Sequence, residues 1–425
     1  MKVLIISHNP ISTTNNNGKT MRTLFSSFNE EELCQLYITP TLPDVDVCKS
    51  YFRITDKDIL KSFIKFKVDG QEVFYSEYNS TIKGQYETEN DEKLYRNPKN
   101  KLPFRMLLRD VMWSLSKWYN KKLVNWIKEQ NPTHIFLVPG PSKFLYNIAL
   151  KVSKKFNLPI ISYICDDYYF VKKPKTLLGQ IHQRKLNKKI ELLMSKTSKL
   201  ITICDEINSE YSTYFNVPAV TVMTGNSIKI EDHPKNQREV KTIVYMGNIR
   251  CNRYTSLVDI GKILDLINSE NKTDVQLKIF TAEKDESILK NFYGISSIKL
   301  CGFVSGEEYL KEFRTADIHL HVEAFDDESI DLVKHSISTK IADCLASGTC
   351  LFAYGPGQVA SISYLKRYNV AHVCTDICKL KDALSNVIFN SNLREKCVIN
   401  ALNIARENHD IIKVGNRVFE TISNI

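Results

Sequence analysis

Ser336-Ile-Ser-Thr-Lys-Ile-Ala-Asp-Cys-Leu-Ala-Ser-Gly348 runs directly into Thr349-Cys-Leu-Phe-Ala-Tyr354. In the first segment Ile337, Ile341, Cys344 and Leu345 recur at helical spacing, which predicts a short helix with one face in a core. Gly348 suits the helix stop. The run Cys350–Tyr354 is apolar throughout and reads as a strand buried on both faces. Ile318–Val322 upstream reads the same way, so the stretch is strand, helix, strand. That order is the unit of a parallel sheet with helices on its faces.

Working outward, the same alternation covers most of the chain. Further strands are expected at Thr242–Met246, Val275–Thr281 and Ile298–Cys301. Lys2–Ser7, Thr133–Val138, Ile160–Cys165 and Leu200–Cys204 form a comparable series in the first half. Glu231–Arg238 is polar, contains Pro and reads as a linker. The expected division is an α/β domain over 1–228 and a second over 229–405, with a helix at 406–425 returning to the first. Residues 40–100 read as an irregular insertion of hairpins or loops. With 425 residues, two domains are the default. Ligands of open parallel sheets bind beyond the carboxyl ends of the strands, so the residues following each strand carry the functional argument.

Composition narrows the classes. The chain has 58 Lys plus Arg against 48 Asp plus Glu, a net charge of +10. A basic balance favours phosphate-rich partners, but no zinc-finger spacing or RNP-like aromatic motif supports nucleic acid. The 11 cysteines are scattered without CxxC pairs, which suits free thiols in a reducing compartment and argues against structural zinc. No run of about 18 apolar residues is present. The opening MKVLIISHNP reads as a first strand and not as a signal peptide, so a cytoplasmic protein is expected.

In the second half, Tyr245-Met-Gly-Asn-Ile-Arg-Cys-Asn-Arg253 follows a strand and precedes a helix. Gly247 lets backbone approach a ligand closely, with Asn248 beside it. Arg250 and Arg253 can clamp a diphosphate through forked, charge-assisted hydrogen bonds. A plain strand–helix turn with solvated arginines is the competing reading. Ser338 is expected to cap the helix of the quoted segment, with Thr339 and Lys340 in its first turn and the N-terminal amides open to an anion. Lysine there is unfavourable unless an anion is present. Asp343 lies one turn on, in reach of a ribose diol. After Gly302, the amides of Phe303 and Val304 can read a base edge. Glu323, Asp326, Asp327 and Glu328 follow a strand and can hydrogen-bond sugar hydroxyls. No DxD follows a strand, and no metal is expected.

In the first half, His8–Thr20 carries Gly18-Lys-Thr, but Thr13 stands where a Walker A motif needs glycine. The loop still suits a phosphate or sugar, flanked by Lys19 and Arg22. Asp166-Asp-Tyr-Tyr169 ends a strand, where carboxylates can orient or deprotonate a hydroxyl while rings stack on a sugar. Leu102–Lys128 reads as one long helix. Its core stripe would be Leu108, Met112, Leu115, Tyr119 and Leu123. Its other face would carry Arg105, Arg109, Trp113, Lys117 and Lys121, a pattern that suits anionic lipid or simply solvent.

Together these segments resemble the GT-B glycosyltransferases, most closely the retaining family 4 group of bacterial capsule and exopolysaccharide assembly. The resemblance is strongest over Gly302–Gly355, where GFVSGEEYLKEFRTADIHLHVEAF leads into SISTKIADCLASGTCLFAYGP. It implies two Rossmann-like doubly wound domains facing across a cleft, the second binding a nucleotide sugar, with UDP-sugar the expected co-substrate and no separate cofactor. It implies that Arg250 and Arg253 neutralise the diphosphate, completed by Ser338, Thr339 and Lys340, with Phe303 and Val304 at the base. Asp343 takes the place of the second Glu of the family's EX7E motif, and His335 stands where the first Glu usually is. Glu323 or Asp326 are the candidates to take over its contact with the donor sugar. Gly18 matches the first-domain loop near the transferred sugar, and Asp166 the acceptor side. A glycan or lipid-linked glycan acceptor is implied, at the inner face of the membrane if the basic helix face touches lipid. Two other readings compete: a non-hydrolysing nucleotide-sugar epimerase of the same fold, and a catalytically silent scaffold.

Overall fold

The computed structural model describes residues 1–13, 16–65, 68, 70–74, 102–172, 174–235 and 239–425. The chain forms two compact units, Met1–Thr224 with Ile411–Ile425, and Gly225–Asp410. The strands of the first are β1 (Val3–Ser7), β2 (Leu33–Tyr37), β3 (Ser50–Arg53), β4 (Gln71–Val73), β5 (His134–Leu137), β6 (Ile160–Ile164), β7 (Thr197–Thr202) and β8 (Ala219–Thr221). They lie in the order β4-β3-β2-β1-β5-β6-β7-β8. Every pairing is parallel except β3 with β4. β1, β2, β3 and β6 are buried residue by residue, as expected of strands covered by helices on both faces.

The second unit holds β9 (Thr242–Met246), β10 (Gln276–Phe280), β11 (Ile298–Gly302), β12 (Ile318–Val322), β13 (Cys350–Tyr354) and β14 (His372–Cys374). Their order is β11-β10-β9-β12-β13-β14, all parallel. This is the doubly wound order 3-2-1-4-5-6, whose connections diverge between its first and fourth strands. Here that switch point lies between β9 and β12. In the first unit the reversal falls between β1 and β5. Each crevice is therefore flanked by the residues that follow two defined strands.

Three expectations need correction. First, the expected insertion over 40–100 contributes regular structure to the first sheet: β3 and β4 extend it, with the helix Asp56–Lys65 between them in the chain. Residues 75–101 lie outside the described residues. Second, Glu231–Lys235 is fastened to the second unit and is no free linker. Glu231 N–H donates to Ala346 O at 3.0 Å, Lys235 N–H to Gly348 O at 2.9 Å, and Arg406 to the carbonyls of Glu231 and Asp232.

Third, the long helix expected over 102–128 is two, Pro103–Leu115 and Lys121–Gln130. The faces of the first are also exchanged. Trp113 is fully buried, whereas Leu108 is 50% and Leu115 70% exposed. Trp113 stacks on Phe144 at 4.3 Å and donates to Asp56 Oδ1 at 2.7 Å. Arg109 donates to the same oxygen at 2.9 Å and lies over Phe144. Asp56, on another helix, thus draws two members of the supposed outer stripe inward. Arg105, Lys117 and Lys121 are exposed, Lys117 beyond the helix end. Among the described residues no helix is long and apolar enough to cross a membrane. All 11 cysteines are free.

Candidate functional site

The switch point of the second unit gathers the groups singled out after β9 and β12. Gly247 follows β9 directly. Its N–H donates to Phe280 O at 2.9 Å, so it offers close approach and not a free amide. A Cβ at this position would lie 3.0 Å from the Tyr245 hydroxyl and 3.5 Å from Lys340 Nζ. The missing side chain thus leaves a gap that the Lys340 ammonium borders. Tyr245 Oη donates to Asn248 O at 2.7 Å, and Asn248 Oδ1 accepts from Arg250 N–H at 2.7 Å. These bonds hold the turn in shape from within.

The two arginines are bound very differently. Arg253 donates through Nε and Nη2 to both oxygens of Glu323, at 2.8 and 3.0 Å, and both side chains are largely buried. Breaking a buried pair by removing one partner costs about 3–5 kcal/mol, so this one is a fixture. It ties the β9 end to the β12 end across the switch point. Glu323, expected to meet sugar hydroxyls, therefore has both oxygens committed. Burial raises its pKa, and Arg253 opposes that shift. Behind it, His321 Nε2 lies 3.6 Å from Glu323 Oε1 and 3.0 Å from Ser361 Oγ. Burial, with Arg253 and Lys340 nearby, lowers the His321 pKa to about 3, so the ring is neutral.

Arg250 is exposed and pairs bidentately with Glu283, at 2.6 and 3.3 Å. The Arg250 hydrogen bond, with two backbone N–H groups, holds the Glu283 pKa down to about 2. The Glu283 side chain is only 5% exposed while that of Arg250 is 63% exposed, so the carboxylate is set into the protein and the guanidinium faces solvent. Glu283, His321 and Ser361 were not among the residues singled out. They meet their partners across 33 to 40 residues of chain, and no local spacing signals such pairs.

The helix of the quoted stretch is Lys340–Ala346, shorter than expected. Its cap is Thr339 and not Ser338, and no side chain makes the cap hydrogen bond. Lys340 is the first residue of this helix. Gly348, at φ +68°, does end the segment. Asp343 is buried, and both its oxygens accept from Ser227, from N–H at 2.6 Å and Oγ at 2.7 Å. Phe303 is 70% exposed and Val304 half-buried, beyond the end of β11. His335 is buried. Asp326 does not face solvent unbound: it caps the helix Asp327–Val333 through Ser329 N–H and accepts from Asn252 Nδ2 at 3.1 Å.

In the first unit, Asp166 follows β6, and its Oδ2 accepts from the Tyr168 hydroxyl at 3.3 Å. Burial raises its pKa, partly offset by that bond. Asp167 Oδ1 accepts from Tyr169 N–H, Phe170 N–H and Tyr211 Oη, which shapes the loop around its neighbour. Gly18 lies within the helix Asn16–Leu24 and not in an open loop. A Cβ there would be 2.6 Å from Ser12 Cβ and 2.8 Å from Ser12 N. Asp44 pins this loop through Ser12 Oγ and Thr13 N–H.

With this geometry in hand, comparison with solved structures is decisive for the fold. Anabaena HepE, in complex with UDP and glucose, matches with a TM-score of 0.63 at 9% identity, over 100% of both chains. The fold is GT-B. Sucrose-phosphate synthase from Thermosynechococcus elongatus matches at 0.61 and 9% identity, over 100% of this chain and 98% of that one. An E. coli trehalose-6-phosphate protein bound to UDP-2-fluoro glucose matches at 0.61 and 9%, over 100% and 99%. No protein-family model and no curated protein sequence matches this chain.

Proposed function

We propose that this chain is a glycosyltransferase moving a sugar from a UDP-sugar to an acceptor hydroxyl. The observation that carries the reading is the β9–β12 switch point. There Gly247 bares the backbone beside Lys340 Nζ, Arg253 is locked by Glu323, and Arg250 presents an exposed guanidinium held by Glu283. Two full-length GT-B neighbours are themselves bound to UDP or a UDP-sugar, which supports uracil as the base.

In the proposed reaction the bond between the anomeric carbon and the diphosphate oxygen breaks, and its electron pair leaves with the diphosphate. The acceptor oxygen bonds to that carbon and its proton passes to the leaving phosphate. Lys340 and Arg250 supply charge as the leaving group develops, and Arg253 offers its remaining Nη1 edge. Preorganised cations of this kind are commonly the largest catalytic term. Asp166 orients the acceptor hydroxyl, and Phe303 with Val304 meets the base. Front-face attack with retention, independence of metal, a family 4 affiliation, and a glycan or lipid-linked acceptor of bacterial surface polysaccharide complete the proposal.

Thermal denaturation with UDP and with UDP-glucose tests it. Ligand at 100 times its Kd stabilises the fold by about 2.7 kcal/mol, so a clear upward shift in Tm is expected with UDP. No shift with either compound overturns the reading. One observation favours the catalytically silent alternative: Asp343, the ribose candidate, has both oxygens on Ser227. Release of UDP from UDP-glucose in the presence of acceptor separates turnover from binding alone.

A further inference from the structure

A cavity of about 340 Å³ opens at the carboxyl edge of the second sheet, beside the switch point and lined by none of Gly247, Arg250, Arg253 and Lys340. Its walls come from three strand ends. Asn252 and Tyr254 start the helix Arg253–Asn271 after β9, with Asp259 further along it. Phe325 and Asp326 follow β12, and Ile377 follows β14. The volume is at the lower end of the range for small-molecule sites, roughly 300–1,000 Å³, and suits a single ring.

The lining has a definite chemistry. Tyr254, Phe325 and Ile377 are apolar or aromatic, and Phe325 and Ile377 remain 37% and 57% exposed. The other polar members are the carboxylates of Asp259 and Asp326, the Asn252 amide and the Thr255 hydroxyl, and no lysine or arginine lines the cavity, which disfavours a phosphate or carboxylate ligand. Asn252 Nδ2 already holds Asp326 in place, whereas Asp259 is half-buried and burial raises its pKa, with Lys262 opposing. Beneath Phe325 lies Tyr354, ring centroids 4.8 Å apart. Tyr354 is fully buried, and its hydroxyl has no hydrogen-bond partner among the described residues. A buried hydroxyl left without a partner is costly, and such groups normally find one.

We propose that this cavity is a carbohydrate-binding site, separate from the diphosphate-binding groups, that takes one neutral sugar ring. Its aromatic wall receives the apolar C–H face of the ring, the stacking contact that aromatic side chains favour. Asp259 accepts from ring hydroxyls. The inference does not rest on sugar transfer: it requires only that the second unit hold a sugar in a place the nucleotide does not occupy.

Saturation-transfer-difference NMR on the full chain tests it, with glucose, galactose and N-acetylglucosamine, and with maltose, cellobiose and lactose to separate a free monosaccharide from a residue of a glycan. At least one of these sugars is expected to receive saturation at its ring C–H protons, unchanged by excess UDP and by Lys340→Ala. Phe325→Ala should abolish the signal. Asp259→Asn should weaken binding about tenfold, the worth of one hydrogen bond to a charged group. Should circular dichroism show that Phe325→Ala misfolds, Ile377→Asp at an exposed position tests the same wall, with loss of signal expected. Silence from all six sugars, competition by UDP, or a signal indifferent to the wall substitutions overturns the proposal. Sugar binding without UDP binding leaves it standing and removes the transferase reading instead.

Discussion

At the scale of single residues, the proposed chemistry turns on the cations beside the switch point. Lys340 borders the gap at Gly247, so Lys340→Ala should weaken UDP binding by about 1–3 kcal/mol, the range for a hydrogen bond to a charged group. Titration calorimetry checks this, and an unchanged Kd removes Lys340 from the site. Gly18 presents the opposite situation. It is buried against Ser12 with no room for a methyl group, and overpacking typically costs about 1–3 kcal/mol. Gly18→Ala should lower stability by that amount in urea denaturation. Wild-type stability would show that the contact relaxes freely. The pairing of Arg250 with Glu283 and of Asp343 with Ser227 was not legible in the sequence, because a residue's type shows what it can bind but not what will stand opposite it.

At the scale of elements, the helix Pro103–Leu115 is the instructive case. Its apolar and basic residues both recur at helical spacing, so periodicity alone allows either face to be the inner one. Asp56 decides the matter by accepting from both Arg109 and Trp113. Asp56→Ala leaves the indole N–H of a fully buried Trp113 without its acceptor. A loss of about 1–3 kcal/mol is expected, the desolvation penalty of such a group. Equilibrium unfolding in urea measures it, and a loss below about 0.5 kcal/mol would mean that water or another group takes over. The break after Leu115 was similarly hidden: nothing between Leu102 and Lys128 except Pro103 is a strong helix breaker. By contrast, strands such as Ile318–Val322 and Cys350–Tyr354 were found at their observed limits, because uninterrupted apolar runs have few alternatives to a covered sheet.

For the whole molecule, buried neutral histidines make stability depend on pH. His8, His319 and His321 are each held to about 3, chiefly by burial. Between pH 6.5 and 3 only the unfolded chain takes up these protons, so full stability is present above about 6.5 and is lost as pH falls. The slope is about 1.4 kcal/mol per pH unit for each group. His319 packs on Phe313 at 4.1 Å, and its Nε2 has no hydrogen-bond partner among the described residues, so phenylalanine can replace it. Denaturation of His319→Phe at pH 7.5 and 5.5 should show acid sensitivity reduced by about 1.4 kcal/mol relative to wild type. Identical losses in the two proteins would mean that His319 is protonated in the folded state.

The class of fold and the strand ends to inspect could be read from the residues alone, since hydrophobic period and strand–helix alternation are local properties that every residue reports. Gly247, Arg253, Glu323 and Lys340 were legible as candidates because each lies just beyond a strand or at the start of a helix. The tertiary structure alone decided the β9–β12 switch point, the inward turn of Trp113, the Arg253–Glu323 lock and the open wall at Phe325. Each of these depends on pairing between groups tens of residues apart, and such pairs are selected by burial and charge only once the chain has been brought together.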